Sequence, residues 1–290
     1  IPHAPDPPAA VAARLGTAEA ELAASLARSR AALLQARAAR ARPLRDDKVL
    51  TSWNALMISA LAKAGRAFGE SRYREAAAQA GEFLWTHLRD REGRLLRRWR
   101  QGEARHKAYL VDHAQLAVAC LDLYEASFEP LWFERALALM RDVNRLFRNE
   151  EGPYYDTGAD AETVIARTSE GYDGVEPSGN SAAAQAFLRL HAYGVREGFD
   201  RDAERILAGF RTYLEQAGTG FAAMLSALDF RLAPPAEVAI VGDPERPETR
   251  AMLEAVERRF QRAAVTAFAP PGQAERAGKV IPLLAGRQAG

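Results

Sequence analysis

The sequence predicts a mainly α-helical protein: an (α/α) toroid of helical hairpins with a small C-terminal α/β appendage. Three observations carry this. Helix-period segments come in pairs; the two members of a pair differ in how much of their circumference is apolar; and the pairs recur about every 60 to 67 residues. A helix apolar on several faces alternating with a one-sided helix at that period builds an inner ring covered by an outer one.

In chain order, residues 1–16 are Pro- and Ala-rich and predict an irregular lead-in. Thr17 is placed to cap an Ala/Arg-rich helix running to about residue 41, which Pro43 ends. The first hairpin is predicted at about 52–68 and 71–89, the second at 112–127 and 130–147, the third at 179–194 and 200–216. The second members are one-sided. Trp132, Ala136, Leu139, Met140, Val143 and Phe147 make one stripe, with Glu134, Arg135, Arg141, Asp142 and Arg145 opposite. The first members are apolar over more of their surface: Ala114, Ala117, Val118, Leu121 and Tyr124 form one stripe, Leu116, Cys120 and Leu123 another. The hairpins align with Leu61, Leu121 and Leu188 equivalent, followed by Ala76, Ala136 and Ala203, then Phe83, Val143 and Phe210.

The links at 93–109 and 152–174 have strand-like runs broken by Gly and Asp, and each returns the chain to an inner-helix start. They are expected to gather at one end of the toroid. After about residue 230 the texture changes. A short β-rich run (236–243), a helix (247–261) and a second run (264–269) read as a βαβ-like appendage, with "KVIPLL" (279–284) as a further strand candidate. The resulting division is a lead-in and helix at 1–44, hairpin repeats at 45–232 and the appendage at 233–290.

Composition narrows the function. The chain has 290 residues, 39 basic and 38 acidic, for a net charge of +1. No basic surplus marks a nucleic-acid partner. No apolar run approaches the roughly 20 residues that span a bilayer, and no signal peptide is visible at the amino terminus. A cytoplasmic protein is expected, and the start without Met suggests a piece of a longer chain. The one cysteine, Cys120, excludes an internal disulfide, and the five histidines show no metal-ligand spacing, so neither a metal nor a cofactor is expected.

Chemistry concentrates at the inner-helix starts. The first carries Asp46, Asp47, Lys48, Trp53 and Asn54; the second Asp112 and His113; the third Glu170, Asp173, Glu176, Ser178 and Asn180. The toroid places all three groups around one cavity. Carboxylates beside aromatic rings and amides suit a sugar, whose hydroxyls need acceptors and donors and whose faces stack on rings. Asp46, Asp47, Asp112 and Glu176 are the candidate acid/base groups, and Lys48, Trp53, Asn54, His113, Glu170, Asp173, Ser178 and Asn180 the candidate binding groups. His113 is a candidate base near neutral pH. Structural readings stand beside these. Asp47, Thr51 and Ser178 are also natural helix caps, Trp53 and His113 also suit a core, and Glu170 and Asp173 also suit solvated loops. "PSGNS" (177–181) lacks the surroundings of a serine nucleophile. "VGDPERPETR" (241–250) has one Gly where a dinucleotide fingerprint needs three.

At "DDKVLTSWNALMISALA" (46–62) the sequence resembles the YyaL-like family, which includes spermatogenesis-associated protein 20. "YLVDHAQLAVACLDLYEASFEPLWFERAL" (109–137), "DGVEPSGNSAAAQAFLRL" (173–190), "MLSALDF" (224–230) and "PPAEVAIVGD" (234–243) match it in order. The resemblance implies an α/α toroid like those of N-acylglucosamine epimerases and six-hairpin glycosidases, with this chain covering the family's C-terminal half. It also implies an upstream thioredoxin-like domain as a partner, together with the missing half of the toroid. The chain departs from the family where Val111-Asp112-His113 replaces Glu-Asp-Tyr and where Ala55 follows Trp53-Asn54 in place of Gly. A non-catalytic scaffold for such a partner is the alternative to a sugar site.

Overall fold

The computed structural model describes residues 6–162, 165–233, 235–257 and 263–289. The chain divides into two compact units, Ile1–Asp47 and Lys48–Gly290.

The first unit holds α1 (Pro8–Leu15) and α2 (Glu19–Ala38). The lead-in is thus helical where an irregular segment is expected. Pro8 starts a helix without loss, because the N–H it lacks would be unpaired there. Gly16, in the left-handed conformation (φ 66°), closes it. α2 buries no residue along its length, as its Ala/Arg composition implies, and it ends ahead of the expected limit near residue 41. The Thr17 hydroxyl donates to Glu21 Oε2 (2.8 Å) and does not cap the backbone.

The second unit opens with β1 (Val49–Leu50) and the hairpin α3 (Thr51–Phe68) and α4 (Ser71–His87). β2 (Leu96–Arg100) and β3 (Glu103–Lys107) follow. Next come the hairpin α5 (Leu110–Ser127) and α6 (Pro130–Phe147), then the third, α7 (Gly179–Ala192) and α8 (Phe199–Gly209). Each outer helix begins 20 residues after its inner helix, at Ser71, Pro130 and Phe199. α3, α5 and α7 lie side by side, and α4, α6 and α8 each cover their own inner helix.

The degree of burial follows the apolar patterning. α5 touches α3, α6 and α7, and nearly every residue from Leu110 to Ala126 is buried. α6 buries only its Trp132–Phe147 stripe and Arg135. Two glycines permit the closest approaches. A Cβ on Gly81 would sit 2.8 Å from the Trp132 ring, and one on Gly179 would sit 2.8 Å from the Val111 backbone nitrogen. Gly179 is what lets the first turn of α7 abut the first turn of α5.

Several expectations are corrected. Ala77, not Ala76, takes the buried place equivalent to Ala136, and Ala203, also buried, comes earlier in its own outer helix. The third outer helix stops at Gly209, whose Cα lies against the Pro153 ring, and the chain restarts as α9 (Arg211–Ala217). A further inner helix, α10 (Ala222–Leu232), packs on α7, so the inner layer continues beyond the three predicted hairpins. The 152–174 link forms no strand among its described residues; Thr163 and Val164 lie outside them. It is held instead by side chains. Arg167 donates to the Thr157 and Leu146 carbonyls, and Thr168 Oγ1 donates to Asp156 Oδ2.

β1, β2 and β3 form an antiparallel sheet at the α3 entrance, and Thr51 Oγ1 donates to the Leu96 carbonyl (2.7 Å). At the C-terminal end, β4 (Ala236–Val241) and β5 (Ala264–Ala269) pair in parallel and are joined through α11 (Pro247–Glu257), a βαβ unit. It belongs to the same compact unit as the hairpins. "KVIPLL" is not a strand: it is the end of α12 (Ala274–Val280) and a 3-10 turn at Pro282–Leu284, because Pro282 cannot donate to a ladder. No helix among the described residues is long and apolar enough to cross a membrane.

Candidate functional site

Asp112 is the centre of the inner-helix entrances. It is fully buried at the third position of α5 and joins three elements. Oδ2 accepts from the Tyr109 amide (2.9 Å), closing its own helix start. Oδ1 accepts from the Ser52 amide (3.1 Å), satisfying an orphan N–H at the start of α3. Arg97 Nη1, from β2, donates to Oδ2 (3.2 Å). Burial pushes the Asp112 carboxyl up to about 6, against Arg97 and the two amides, which lower it; the nearby Glu176 charge adds to the rise.

Around Asp112 stand groups that remain open to solvent or lack partners. The Arg97 guanidinium lies over the Tyr109 ring at 4.4 Å, and both residues are partly exposed. Glu176 Oε2 is buried and has no hydrogen-bond partner among the described residues. Trp53, next to Ser52 in the first turn of α3, is 60% exposed. Asn54 is half-buried and donates to the Leu50 carbonyl of its own helix start (2.8 Å).

Other predicted site residues spend their hydrogen bonds within the fold. His113 is fully buried. Its Nε2 faces Arg94 Nη1 (3.0 Å), which is always a donor, so Nδ1 carries the proton and donates to the Tyr109 carbonyl (2.9 Å). Burial drives the ring down to about 3, so it is neutral, already hydrogen-bonded at both nitrogens and unavailable as a base near pH 7. Asn180 is equally buried. It accepts from the Tyr154 amide (2.9 Å) and donates to the Tyr154 and Glu170 carbonyls (3.0 and 2.9 Å), so it pins the 152–174 link.

Ser178 is a helix cap, accepting from the Ser181 amide (3.0 Å). Asp173 ties two helix starts together. It accepts from the Ser178 amide (2.9 Å) at α7 and from the Ala223 and Met224 amides (2.8 and 3.2 Å) at α10. Glu170 is exposed and closes a local turn by accepting from the Gly171 and Tyr172 amides (3.0 and 2.8 Å). Lys48 opens the second unit with an exposed side chain. Asp46 and Asp47 close the first unit, also exposed.

A second polar cluster lies further along the inner helices. Asp122 Oδ2 accepts from Ser59 and from Lys63 Nζ (2.9 Å), and Oδ1 from Arg189 Nη1 (2.7 Å). Glu125 accepts from Arg66 (2.6 Å), from Arg189 Nη2 (3.2 Å) and from the Tyr193 hydroxyl (2.8 Å), which also lies 3.1 Å from the Thr266 carbonyl of β5. Burial raises the Asp122 carboxyl, but Arg189 and Lys63 outweigh it and hold the group below the usual range. This cluster went unread in the sequence, although two acids inside an apolar helix run are a recognisable sign of buried pairing. Arg97 and Tyr109 were also missed.

Among the described residues no group of acids, histidines or cysteines is arranged to hold a metal. A surface cavity of about 710 Å³ lies at the carboxyl ends of β4 and β5, lined by Gly242, Asp243, Arg246, Thr249 and Met252 among others. Its lone Gly242 serves packing, since a Cβ there would lie 2.6 Å from Thr249 Oγ1. Asp243 turns inward to its own loop, accepting from the Glu245 amide (2.9 Å).

No family model matches the chain. Individual proteins do. Human spermatogenesis-associated protein 20 is 32% identical over 235 residues, which is 77% of this chain. The chain belongs to the spermatogenesis-associated protein 20 family. An uncharacterized protein of Caenorhabditis elegans is 30% identical over 245 residues. The chain spans about 30% of the length of its human relative and 33% of the worm one. Among solved structures, the GH76 α-mannanase of Bacteroides thetaiotaomicron superposes on 74% of this chain and 59% of its own, with a TM-score of 0.51 and 15% identity. Cellobiose 2-epimerase from Bacillus thermoamylovorans gives a TM-score of 0.48 and 15% identity over 58% of this chain and 46% of its own. The fold of this member of the spermatogenesis-associated protein 20 family is that of the six-hairpin toroids.

Proposed function

We propose that the inner-helix entrances form part of a carbohydrate-binding site, with Asp112 and Glu176 as its acid pair. The observation that carries the reading is the contrast between these two carboxyls. One is held near 6 by burial, and the other presents a buried oxygen with no partner. A carboxyl titrating near 6 suits a general acid at neutral pH, and an unpaired carboxylate oxygen needs a donor such as a sugar hydroxyl. Arg97 and Tyr109 offer a cation and a ring face beside them, and Trp53 a second exposed ring. The toroid fold, shared with an α-mannanase, supports this reading at the level of architecture. On this reading Lys48, just ahead of α3, is a further contributor, and the protein works in the cytoplasm.

The test is thermal-shift and calorimetric binding of cellobiose, mannobiose and N-acetylglucosamine to this chain and to its human relative. Binding by either protein that Glu176→Gln or Asp112→Asn weakens at least tenfold is expected. Absence of binding to all three sugars by both proteins would remove the proposal.

A second reading is a non-catalytic scaffold that positions a thioredoxin-like domain. The observation favouring it is that His113, Asn180, Ser178, Asp173 and Glu170 are committed to tying links to helix starts. A fall in stability of Asp112→Asn and Glu176→Gln together, in a protein that binds none of the three sugars, would favour this reading.

A further inference from the structure

The segment "DGVEPS" (173–178) leads into α7 and carries Glu176. Its middle has no support of its own. Among the described residues, the backbones of Gly174, Val175 and Glu176 make no hydrogen bond, and Pro177 has no N–H to give. Val175 is fully exposed, so packing of that side chain does not hold the segment either. Yet Glu176 is half-buried and its Oε2 is covered. The segment is fixed from outside its middle.

Three inner helices supply the fixing contacts. At α7, the Ser178 amide donates to Asp173 Oδ1 (2.9 Å). At α10, the Ala223 and Met224 amides donate to Asp173 Oδ2 (2.8 and 3.2 Å). From α5, the buried Gln115 donates through Nε2 to the Pro177 carbonyl (3.3 Å). Gln115 lies three residues after Asp112 on the same face of α5, which brings the segment to the side of Asp112. The Asp173 backbone is anchored too, its amide donating to the Gly220 carbonyl (2.8 Å).

Capping alone does not account for Asp173. α10 uses one of its oxygens. α7 is already capped by the Ser178 hydroxyl, which accepts from the Ser181 amide. The bond between Oδ1 and the Ser178 amide draws the two ends of the segment together across the unsupported residues.

We infer that Asp173 is a positioning residue of the candidate site: by closing the 173–178 segment and tying it to α10, it holds the Glu176 carboxylate beside Asp112. The inference rests on the carbohydrate reading for the part Glu176 plays, but its test needs no ligand. The groups acting on Asp112 are Arg97, which stays charged throughout, the Tyr109 and Ser52 amides, and Glu176. A charge that appears on Asp112 as the pH rises through about 6 perturbs a neighbouring carboxylate, and the effect falls with distance. The side-chain carboxyl carbon resonance of Glu176, identified by its loss in Glu176→Gln, is therefore expected to move in a step near pH 6 that Asp112→Asn abolishes. Asp173→Asn leaves one acceptor oxygen for three amides and should shrink the step at least threefold. Asp122→Asn, which weakens the fold in the second polar cluster, should keep it whole, so lost stability alone does not imitate the effect. Gly220→Ala is an independent route should Asp173→Asn not fold. Its Cβ would sit 2.7 Å from the Tyr172 ring, so it displaces the Asp173 backbone without altering the carboxylate, and the step should shrink there too. Any sugar bound by wild type should bind at least tenfold more weakly to Asp173→Asn. If no sugar binds, the carbohydrate reading falls and the resonance still decides the inference. No step in wild type, or an undiminished step in Asp173→Asn or Gly220→Ala, overturns it.

Discussion

At the scale of single residues, Asp112 and His113 are neighbours in sequence and opposites in chemistry. Both are fully buried, and burial acts on each by disfavouring its charge. Asp112 sits where two helix starts and Arg97 deliver hydrogen bonds to a carboxylate. His113 is turned the other way, into Arg94 and the edge of the Phe147 ring. The pH consequence for Asp112 follows from its sign. Its carboxyl is raised to about 6 from an ordinary 3.8, so the folded protein holds that proton more tightly than the unfolded chain does. The resulting stabilisation is complete below about 3.8 and is lost as the pH rises through about 6. Urea unfolding across that range should show wild type losing up to about 3 kcal/mol from this group, and Asp112→Asn losing none of it. Equal slopes for the two proteins would mean that the carboxyl titrates normally.

At the scale of elements, the close junction of α5 and α7 rests on the missing side chain of Gly179. Gly179→Ala would put a Cβ 2.8 Å from the Val111 nitrogen and 2.9 Å from Leu110 Cγ, so the entrance must spread. A loss of about 1–3 kcal/mol is expected in chemical denaturation. Gly272→Ala, which meets open space, should stay within about 0.5 kcal/mol of wild type. A Gly179→Ala protein as stable as wild type would show that the two helix starts are not in contact.

This is also the scale at which the sequence was most informative. The start of α6 at Pro130, its end at Phe147 and the bounds of β5 were legible because proline, a one-sided stripe and a β-rich run are local signals. The stop of α8 at Gly209 was not, since it depends on Pro153, distant in the chain. Nor was the irregular course of 152–174, which is set by arginine and asparagine side chains reaching backbone carbonyls. The gathering of polar groups at the inner-helix starts was legible. Which of those groups the fold itself uses was not, because residue type alone does not tell an asparagine that will bind a ligand from one that will pin a loop.

At the scale of the second unit, the Asp122–Arg189–Glu125 cluster spans α3, α5, α7 and, through Tyr193, β5. Such a cluster fixes how neighbouring helices slide against one another, because only one register satisfies all its members. Removing Asp122 leaves the buried Arg189 with Glu125 as its one remaining acidic partner in the cluster. Asp122→Asn should cost about 3–5 kcal/mol in denaturant unfolding, with Asp122→Asn/Arg189→Met recovering part of the loss, because no charge is then stranded. A double variant worse than the sum of its parts would assign Arg189 its stability through packing alone.

The burial of α5 on every side sets the timescale on which its backbone meets water. A surface helix frays from its ends and swaps its amide protons during small openings. α5 has no solvent face from which to fray, so its amides from Ala114 to Tyr124 should exchange with deuterium only when the second unit opens as a whole. Their exchange free energy should then equal the stability measured by denaturant. The helix that carries Asp112 and Asp122 would be the slowest clock in the molecule.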